Sequence, residues 1–248
     1  MKIIGIIPAR YASSRFPGKA LTLINGKPMI EWVYKQASKA NLLQEVYVAT
    51  DDARIQKAVE AFGGKVLLTS TNHRSGTERC NEAAGKLQKQ GIEMDAVINI
   101  QGDEPLINPQ QIDIVASLFS DNTIQIASLV KKITRSEELF DPNVVKAIVG
   151  SKGKAIYFSR QTIPFLRDKE KGQWLETHSF YKHIGIYGYT TRVLGEIVLL
   201  KESPLEKAES LEQLRWLENG FEITIKETEF ESFGIDTPED LLKIKGDI

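Results

Sequence analysis

The chain has 248 residues, 42% of them hydrophobic and 26% charged, with a net charge of −1. That length suffices for one large α/β domain, and the balanced charge excludes a general attraction to nucleic acid or to a membrane surface. Cys80 is the only cysteine, which excludes an internal disulfide and fits a reducing cytoplasm, and no apolar run nears the roughly 18–20 residues that cross a bilayer.

The apolar run Ile3–Ile7 reads as a buried opening strand, too short for a secretory signal and soon followed by Arg10. The first thirty residues hold five cations (Lys2, Arg10, Arg15, Lys19 and Lys27) and no carboxylate. Pro28, a favoured first-turn residue, opens a helix in which Ile30, Val33 and Ala37 recur at three and four. Val46–Thr50 is a second strand, and Asp51 and Asp52 cap a helix to about Phe62, closed by Gly63 and Gly64. Lys65–Thr69 is a third strand; a polar loop then leads to a helix capped by Thr77, and Ala96–Ile100 is a fourth strand. Pro109 starts another helix, and Ile124–Val130 is a further strand. This alternation predicts an α/β fold with a mainly parallel sheet and helices on both faces. Ligands of such sheets bind outside the carboxyl ends of the strands, so the loops after Ile7, Thr69 and Ile100 are expected to share one crevice.

The second half is less regular. Val144–Val149 and Lys154–Ser159 read as paired strands, and Gln161–Ser179 as a long connection of weak pattern, a candidate mobile flap. Lys182–Tyr189 is a strand, followed by helices near Thr191–Lys201 and Leu205–Glu218, a turn at Gly220, a strand Phe221–Glu227 and a last helix capped by Thr237. This half is expected to extend the first sheet and to carry a dimer contact.

The motifs point to a polyphosphate. In Ile6-Ile-Pro-Ala-Arg-Tyr-Ala-Ser-Ser-Arg-Phe-Pro-Gly-Lys19, Arg10 and Lys19 are placed to grip phosphate oxygens, Arg15 to assist, and Gly18 to let the backbone approach. A solvated basic loop would have the same spacing. Neither a Walker A loop nor G-x-G-x-x-G follows the strand, which argues against P-loop phosphoryl transfer and dinucleotide redox chemistry. In Asn99-Ile-Gln-Gly-Asp-Glu-Pro105, Gly102 permits a tight turn that projects Asp103 at the sheet edge. A carboxylate facing a phosphate loop calls for a bridging cation, and Mg²⁺ bridges with one or two carboxylates plus phosphates; a turn-capping Asp would look alike. Ser75 and Gly76 suit contact with a ribose or base, while Ser75 and Glu78 also fit a capping box. Asp236 is either a second metal ligand or a cap. Alternation along Lys182–Tyr189 puts Ile184 and Ile186 on one face and His183, Gly185, Tyr187 and Tyr189 on the other, a face suited to a polyhydroxylated ligand. Glu212 and Gln213 flank the Leu211, Leu214, Leu217 stripe, where they face sugar hydroxyls or solvent.

The segments I-I-P-A-R-Y-A-S-S-R-F-P-G-K, S-G-T-E-R, Q-G-D-E-P-L-I, D-P-N-V-V-K, I-Y-F-S-R, H-I-G-I-Y-G-Y, L-E-Q-L and G-I-D-T-P-E-D-L, in this order from Ile3 to Leu242, resemble the 3-deoxy-manno-octulosonate cytidylyltransferases, the CMP-Kdo synthetases. Each segment alone is weak; eight in this order are specific. The resemblance implies a homodimer of Rossmann-like nucleotidyltransferase subunits that joins CTP to 3-deoxy-D-manno-octulosonate (Kdo), giving CMP-Kdo and pyrophosphate for lipopolysaccharide assembly. It implies a single domain with a nucleotide-binding half of about 1–130 and sugar-binding and dimerisation elements at about 131–230, inserted before the closing helix. By position, Arg10 and Lys19 match triphosphate-binding residues, Ala9, Ser75, Gly76 and Gln101 fall in motifs that hold cytosine and ribose, and Asp103 and Asp236 match Mg²⁺ ligands. Arg160, His183, Tyr187, Glu212 and Gln213 match positions that contact the sugar acid, with Arg160 suited to its carboxylate. Glu78 stands where Asp is usual and Ala20 where Pro is usual. A cytidylyltransferase for sialic acid or an 8-amino-Kdo analogue, and a non-catalytic nucleotide-binding regulator, are the alternatives.

Overall fold

Ile3–Ala9 (β1) is apolar on both sides, Ile3 and Ile7 packing into one core and Ile4 and Ile6 into another, as a strand covered on both faces requires. The structure, a computed structural model, describes residues 1–12 and 16–244. After β1 come Met29–Ala37 (α1), Glu45–Thr50 (β2), Ala53–Ala61 (α2), Val66–Leu68 (β3), Gly76–Lys89 (α3) and Ala96–Asn99 (β4). Pro109–Leu118 (α4), Ile126–Lys132 (β5), Ser136–Phe140 (α5), Lys146–Val149 (β6) and Ala155–Ser159 (β7) follow. The chain then runs through Trp174–Thr177 (α6), Tyr181–Thr190 (β8), Thr191–Ile197 (α7), Pro204–Glu209 (α8), Glu212–Glu218 (α9), Ile223–Glu227 (β9) and Asp240–Ile244 (α10).

Among the described residues one sheet of nine strands runs β9-β5-β8-β4-β1-β2-β3, with β6 paired to β8 and β7 to β6. β1 is parallel to β2 and β4, β2 to β3, and β9 to β5; β8 is antiparallel to both β4 and β5. A separate two-stranded ribbon pairs Leu23–Ile24 with Lys27–Pro28. Helices cover both faces. Ile30 and Val33 of α1, Val59 of α2 and Val115 of α4 pack on one side; Ala83 of α3, Leu194 of α7 and Leu214 of α9 pack on the other. The chain steps from β1 outward to β2 and β3, then returns to the other side of β1 as β4. The carboxyl ends of β1 and β4 therefore flank the switch point where such sheets bind ligands.

Four local expectations are corrected. Ser75, not Thr77, caps α3: its side chain accepts from the Glu78 amide, while Glu78 reaches past it to the Arg74 amide at 2.8 Å, so no reciprocal box closes. The helix expected at Leu205–Glu218 is two, because Ser210 takes a left-handed conformation (φ 52°) that stops α8, itself started by a Ser203–Glu206 capping box. The last helix begins at Asp240, whose carboxylate accepts from the amides of Asp236 and Thr237 in place of a Thr237 cap. The Gln161–Ser179 connection is anchored: Trp174 is buried and stacks on Phe180 at 5.9 Å, in a small core with Ile133 and Leu139.

Candidate active site

A cleft of about 240 Å³ opens at the switch point, and the three loops expected to share a crevice line it, with Pro8–Arg10, His73–Gly76 and Gln101–Asp103 all on its walls. Ala20, Arg79 and Asp236 complete the lining around Lys19. Two glycines make this geometry possible. Gly18 has φ +71° and donates its amide to the Tyr11 carbonyl, closing the basic loop; a Cβ there would press on the Tyr11 ring. At Gly102 a Cβ would lie 2.7 Å from the Pro8 carbonyl oxygen, so only glycine lets the β4 loop cross so near the end of β1. Arg54 lies 3.3 Å from the Tyr11 ring centroid and holds the loop from outside.

Inside the cleft Lys19 Nζ stands 2.7 Å from Asp103 Oδ2 and 3.4 Å from Asp236 Oδ1. The side chains are 16%, 29% and 46% exposed, a gradient from the floor to the mouth. Two carboxylates 133 positions apart in sequence thus reach one cationic nitrogen. Among the described residues no three His, Cys, Asp or Glu side chains cluster as a self-sufficient metal site. A Mg²⁺ ion held by this pair fits the site only with phosphate oxygens completing its shell, which is its usual habit. Beside Asp103, burial pushes the Glu104 carboxyl up to about 7, against the Ser232 hydroxyl and with Asp103. Arg10 is exposed at the mouth, and Arg15 lies outside the described residues.

The opposite wall is the N-terminus of α3. Ser75 caps it, and Arg79, buried one turn inside, is held by Asp51 at 2.7 Å and Thr69 at 2.6 Å. His73 contacts Glu82, which also accepts from the Ser70 amide and pairs with Lys86, so the loop before α3 is pinned to the helix behind it. Gln101 Nε2 donates to the Gly185 carbonyl at 3.0 Å, tying the β4 loop to β8.

The residues expected to meet a sugar are not on this cleft's wall. Glu212 lines an adjoining pocket with Ser210 and Arg215, and the two cavities share Arg74 and Ser75. It accepts from Thr77 Oγ1 at 2.9 Å, and burial raises its carboxyl above the ordinary range, opposed by the Thr77 and Ser75 hydroxyls and by Arg215. Arg160 clamps the α8–α9 junction, donating to the carbonyls of Glu209 (2.7 Å), Pro142 (3.2 Å) and Ser210 (3.5 Å). Its guanidinium charge is met by dipoles alone in these bonds. His183 pairs with Ser128 Oγ at 3.0 Å across an irregularity in the β8–β5 ladder and packs edge-on against Phe158. Burial lowers its pKa to about 3, so the ring is neutral. As expected, Tyr187 and Tyr189 share the face opposite Ile184 and Ile186; both hydroxyls are buried, that of Tyr187 with no hydrogen-bond partner among the described residues, and both rings meet Trp216 edge-on. Gln213 is buried in α9. Sequence reasoning left Arg74 and Arg79 out of the candidate site, although Arg79 ends the S-G-T-E-R segment and Arg74 directly precedes it; their place on the wall comes from the tertiary fold.

A family model described as cytidylyltransferase matches residues 4–227. The chain belongs to the cytidylyltransferase family. Within it the chain is 55% identical over 247 residues to the 3-deoxy-manno-octulosonate cytidylyltransferase of Parabacteroides distasonis, covering 98% of this chain and 96% of that one. The enzyme of the same name from Bacteroides thetaiotaomicron is 53% identical, covering 97% and 96%. A solved CMP:2-keto-3-deoxy-manno-octonic acid synthetase, complexed with CTP, superposes with a TM-score of 0.90 at 42% identity, covering 99% and 98%. A Bacillus anthracis structure described as a glucose-1-phosphate thymidylyltransferase, at 19% identity and a TM-score of 0.61, shares the fold. In this cytidylyltransferase the shared fold accounts for the cleft at the switch point, and the basic loop, α3 and the Asp103 turn form its walls.

Proposed function

We propose that this cytidylyltransferase transfers CMP from CTP to Kdo, giving CMP-Kdo and pyrophosphate and activating Kdo for lipopolysaccharide assembly. The observation that carries the reading is the convergence of Lys19 on Asp103 and Asp236 in a cleft whose mouth holds Arg10. Names of near-full-length relatives at 53–55% identity support the sugar, and the CTP-bound relative supports the nucleotide.

Arg10 and Lys19, assisted by Arg15, bind the triphosphate, and Ala9, Ser75, Gly76 and Gln101 bind cytosine and ribose. Asp103 and Asp236 would hold Mg²⁺, which would supply charge neutralisation at the triphosphate. The sugar acid occupies the adjoining pocket, where Glu212 orients hydroxyls; Gln213 supports it from α9, Arg160 offers its charge to the carboxylate from the α8–α9 junction, and His183 and Tyr187 back the site from β8. The C2 hydroxyl attacks the α-phosphorus in line; the new C2–O–P bond forms as the bond to pyrophosphate breaks, and the hydroxyl proton leaves to solvent. The residues position and neutralise, without a covalent enzyme intermediate. The protein acts as a homodimer in the cytoplasm. The lone buried thiol of Cys80 supports that location, and Ile156, 61% exposed on the outermost strand β7, supports a second subunit against the smaller antiparallel region.

The test is pyrophosphate release with Mg²⁺ across a panel of nucleotides and sugar acids. Release with CTP and Kdo alone is expected. Faster release with sialic acid or 8-amino-Kdo would replace the sugar, and none with any acceptor would favour a non-catalytic nucleotide binder.

A further inference from the structure

Residues 228–236 cross from the end of β9 to the cleft without regular secondary structure, yet they deliver Asp236 within 3.4 Å of the nitrogen that Asp103 also holds. Unstructured backbone does not place a carboxylate to that precision unless side chains pin it. Six anchors do so. The Thr228 amide donates to the Val130 carbonyl at 2.9 Å, and Glu231 pairs with Lys182 at 2.9 Å and Lys131 at 3.0 Å. Gln111 Nε2 donates to the Phe230 carbonyl at 3.3 Å. The last two grips come from adjacent residues of the Asp103 turn: Ser232 Oγ donates to Glu104 Oε2, and the Ile235 amide donates to the Asp103 carbonyl at 2.9 Å.

We infer that Glu104 and Ser232 are positioning residues for the two-carboxylate site: their contact sets the register of the 228–236 strap, so that Asp236 meets Asp103 at one cation. Glu104 is 8% exposed, and a carboxyl group is costly to bury there for packing alone. Gripping the strap at 232 and 235 fixes its register. A slip of one residue would move Asp236 by about 3.3 Å, out of reach of the shared nitrogen. Charge pairs at Glu231 hold the strap to β5 and β8 but lie farther along the chain from Asp236, and longer side chains there tolerate such a slip. The Glu104–Ser232 contact and the Ile235–Asp103 bond both refer the strap to the turn that carries Asp103, and of the two only the first is made by side chains.

The inference rests on the proposed metal role of Asp103 and Asp236, and the experiment separates the two. Mn²⁺ binding is read by electron paramagnetic resonance on the full chain with a non-hydrolysable CTP analogue, for wild type, Asp236→Asn, Ser232→Ala, Glu104→Ala and Glu104→Gln. Ser232→Ala and Glu104→Ala are each expected to weaken Mn²⁺ by about ten-fold, the lower end for groups that orient a metal's ligands. Their double variant is expected to be no weaker than either one, since both remove one contact. Glu104→Gln keeps an oxygen acceptor for the Ser232 hydroxyl and is expected to bind within about two-fold of wild type, which a purely structural loss would not restore. In turnover assays Ser232→Ala should raise the Mg²⁺ concentration at half-maximal rate, with the rate recovering at saturating Mg²⁺. Unchanged Mn²⁺ affinity in Ser232→Ala, with Asp236→Asn weakened, overturns the positioning role alone. Wild type binding no more Mn²⁺ than Asp236→Asn overturns the metal assignment beneath it.

Discussion

Lys19 sits between two carboxylates that a triphosphate would otherwise repel, so each member of the trio has a job the others cannot take over. Asp103→Asn keeps the volume and an oxygen for Lys19 while removing one negative charge from the cation site. Pyrophosphate release is expected to fall by on the order of 10²–10³, the usual cost of deleting one preorganised electrostatic partner. Its side chain is 29% exposed, so the melting temperature should move little; near-wild-type turnover would sink the metal role. His183 makes the opposite kind of prediction, one about stability. Its folded pKa of about 3 lies below the 6.5 of an exposed imidazole because burial disfavours the charged ring. The native state thus refuses a proton that the unfolded chain accepts. Stability is fully present above pH 6.5 and is lost as pH falls from there toward 3. Because the residue is partly open to solvent, the loss between pH 7.5 and 5 is expected to be about 1–2 kcal/mol. Urea unfolding of wild type and His183→Gln at both pH values isolates it from every other titrating group; equal pH dependence would show that His183 titrates in the fold as it does in the unfolded chain.

Elements converge on the cleft because one loop passes unusually close to another. Gly102→Ala would set a methyl 2.7 Å from the Pro8 carbonyl oxygen, and since the obstacle is backbone, the β4 loop itself must shift. Destabilisation of about 1–3 kcal/mol is expected, with kcat/KM falling further than the fold does because Asp103 is the next residue. Urea midpoints and initial rates of the variant check both; an unchanged rate would mean that Asp103 tolerates displacement. Much of this arrangement was legible in the sequence. Period and capping residues predicted β1 to β4 and their helices to within a few residues, and the rule for open α/β sheets correctly predicted that the loops after β1, β3 and β4 meet. Local signals failed where two caps competed or where tertiary contacts decided. Ser75 and Thr77 are both good caps, and only the fold assigns Thr77 to Glu212. Ser210 breaks a helix without the glycine that usually marks such a stop. Trp174 looked like part of a loose connection because its partners Phe180, Leu139 and Ile133 belong to other elements. The 228–236 strap has no period to read, since its order comes from partners on β5, β8, α4 and the Asp103 turn.

For the whole molecule, the cleft draws on residues 8–10, 19–20, 73–76, 79, 101–103 and 236, so one ligand lodged there ties together segments from both ends of the chain. Unfolding must separate all of them, and a ligand bound only to the native state resists that separation by RT ln(1 + [L]/Kd). CTP with Mg²⁺, in the absence of Kdo so that no turnover occurs, is therefore expected to raise the melting temperature. At about 100 times its dissociation constant the gain is about 2.7 kcal/mol, and a chain of this size gains roughly 2–4 °C per kcal/mol, which gives about 5–10 °C. Asp103→Asn should lose most of the increment that Mg²⁺ adds to CTP, because Asp103 is one of the two carboxylates proposed to hold the metal. Lys19→Ala should lose part of the shift even without metal. A guanine nucleotide should give a smaller shift than CTP if the β1 and α3 loops select the pyrimidine. Equal shifts with every nucleoside triphosphate would show that the cleft recognises phosphates alone, and would leave selection of the base to the catalytic step.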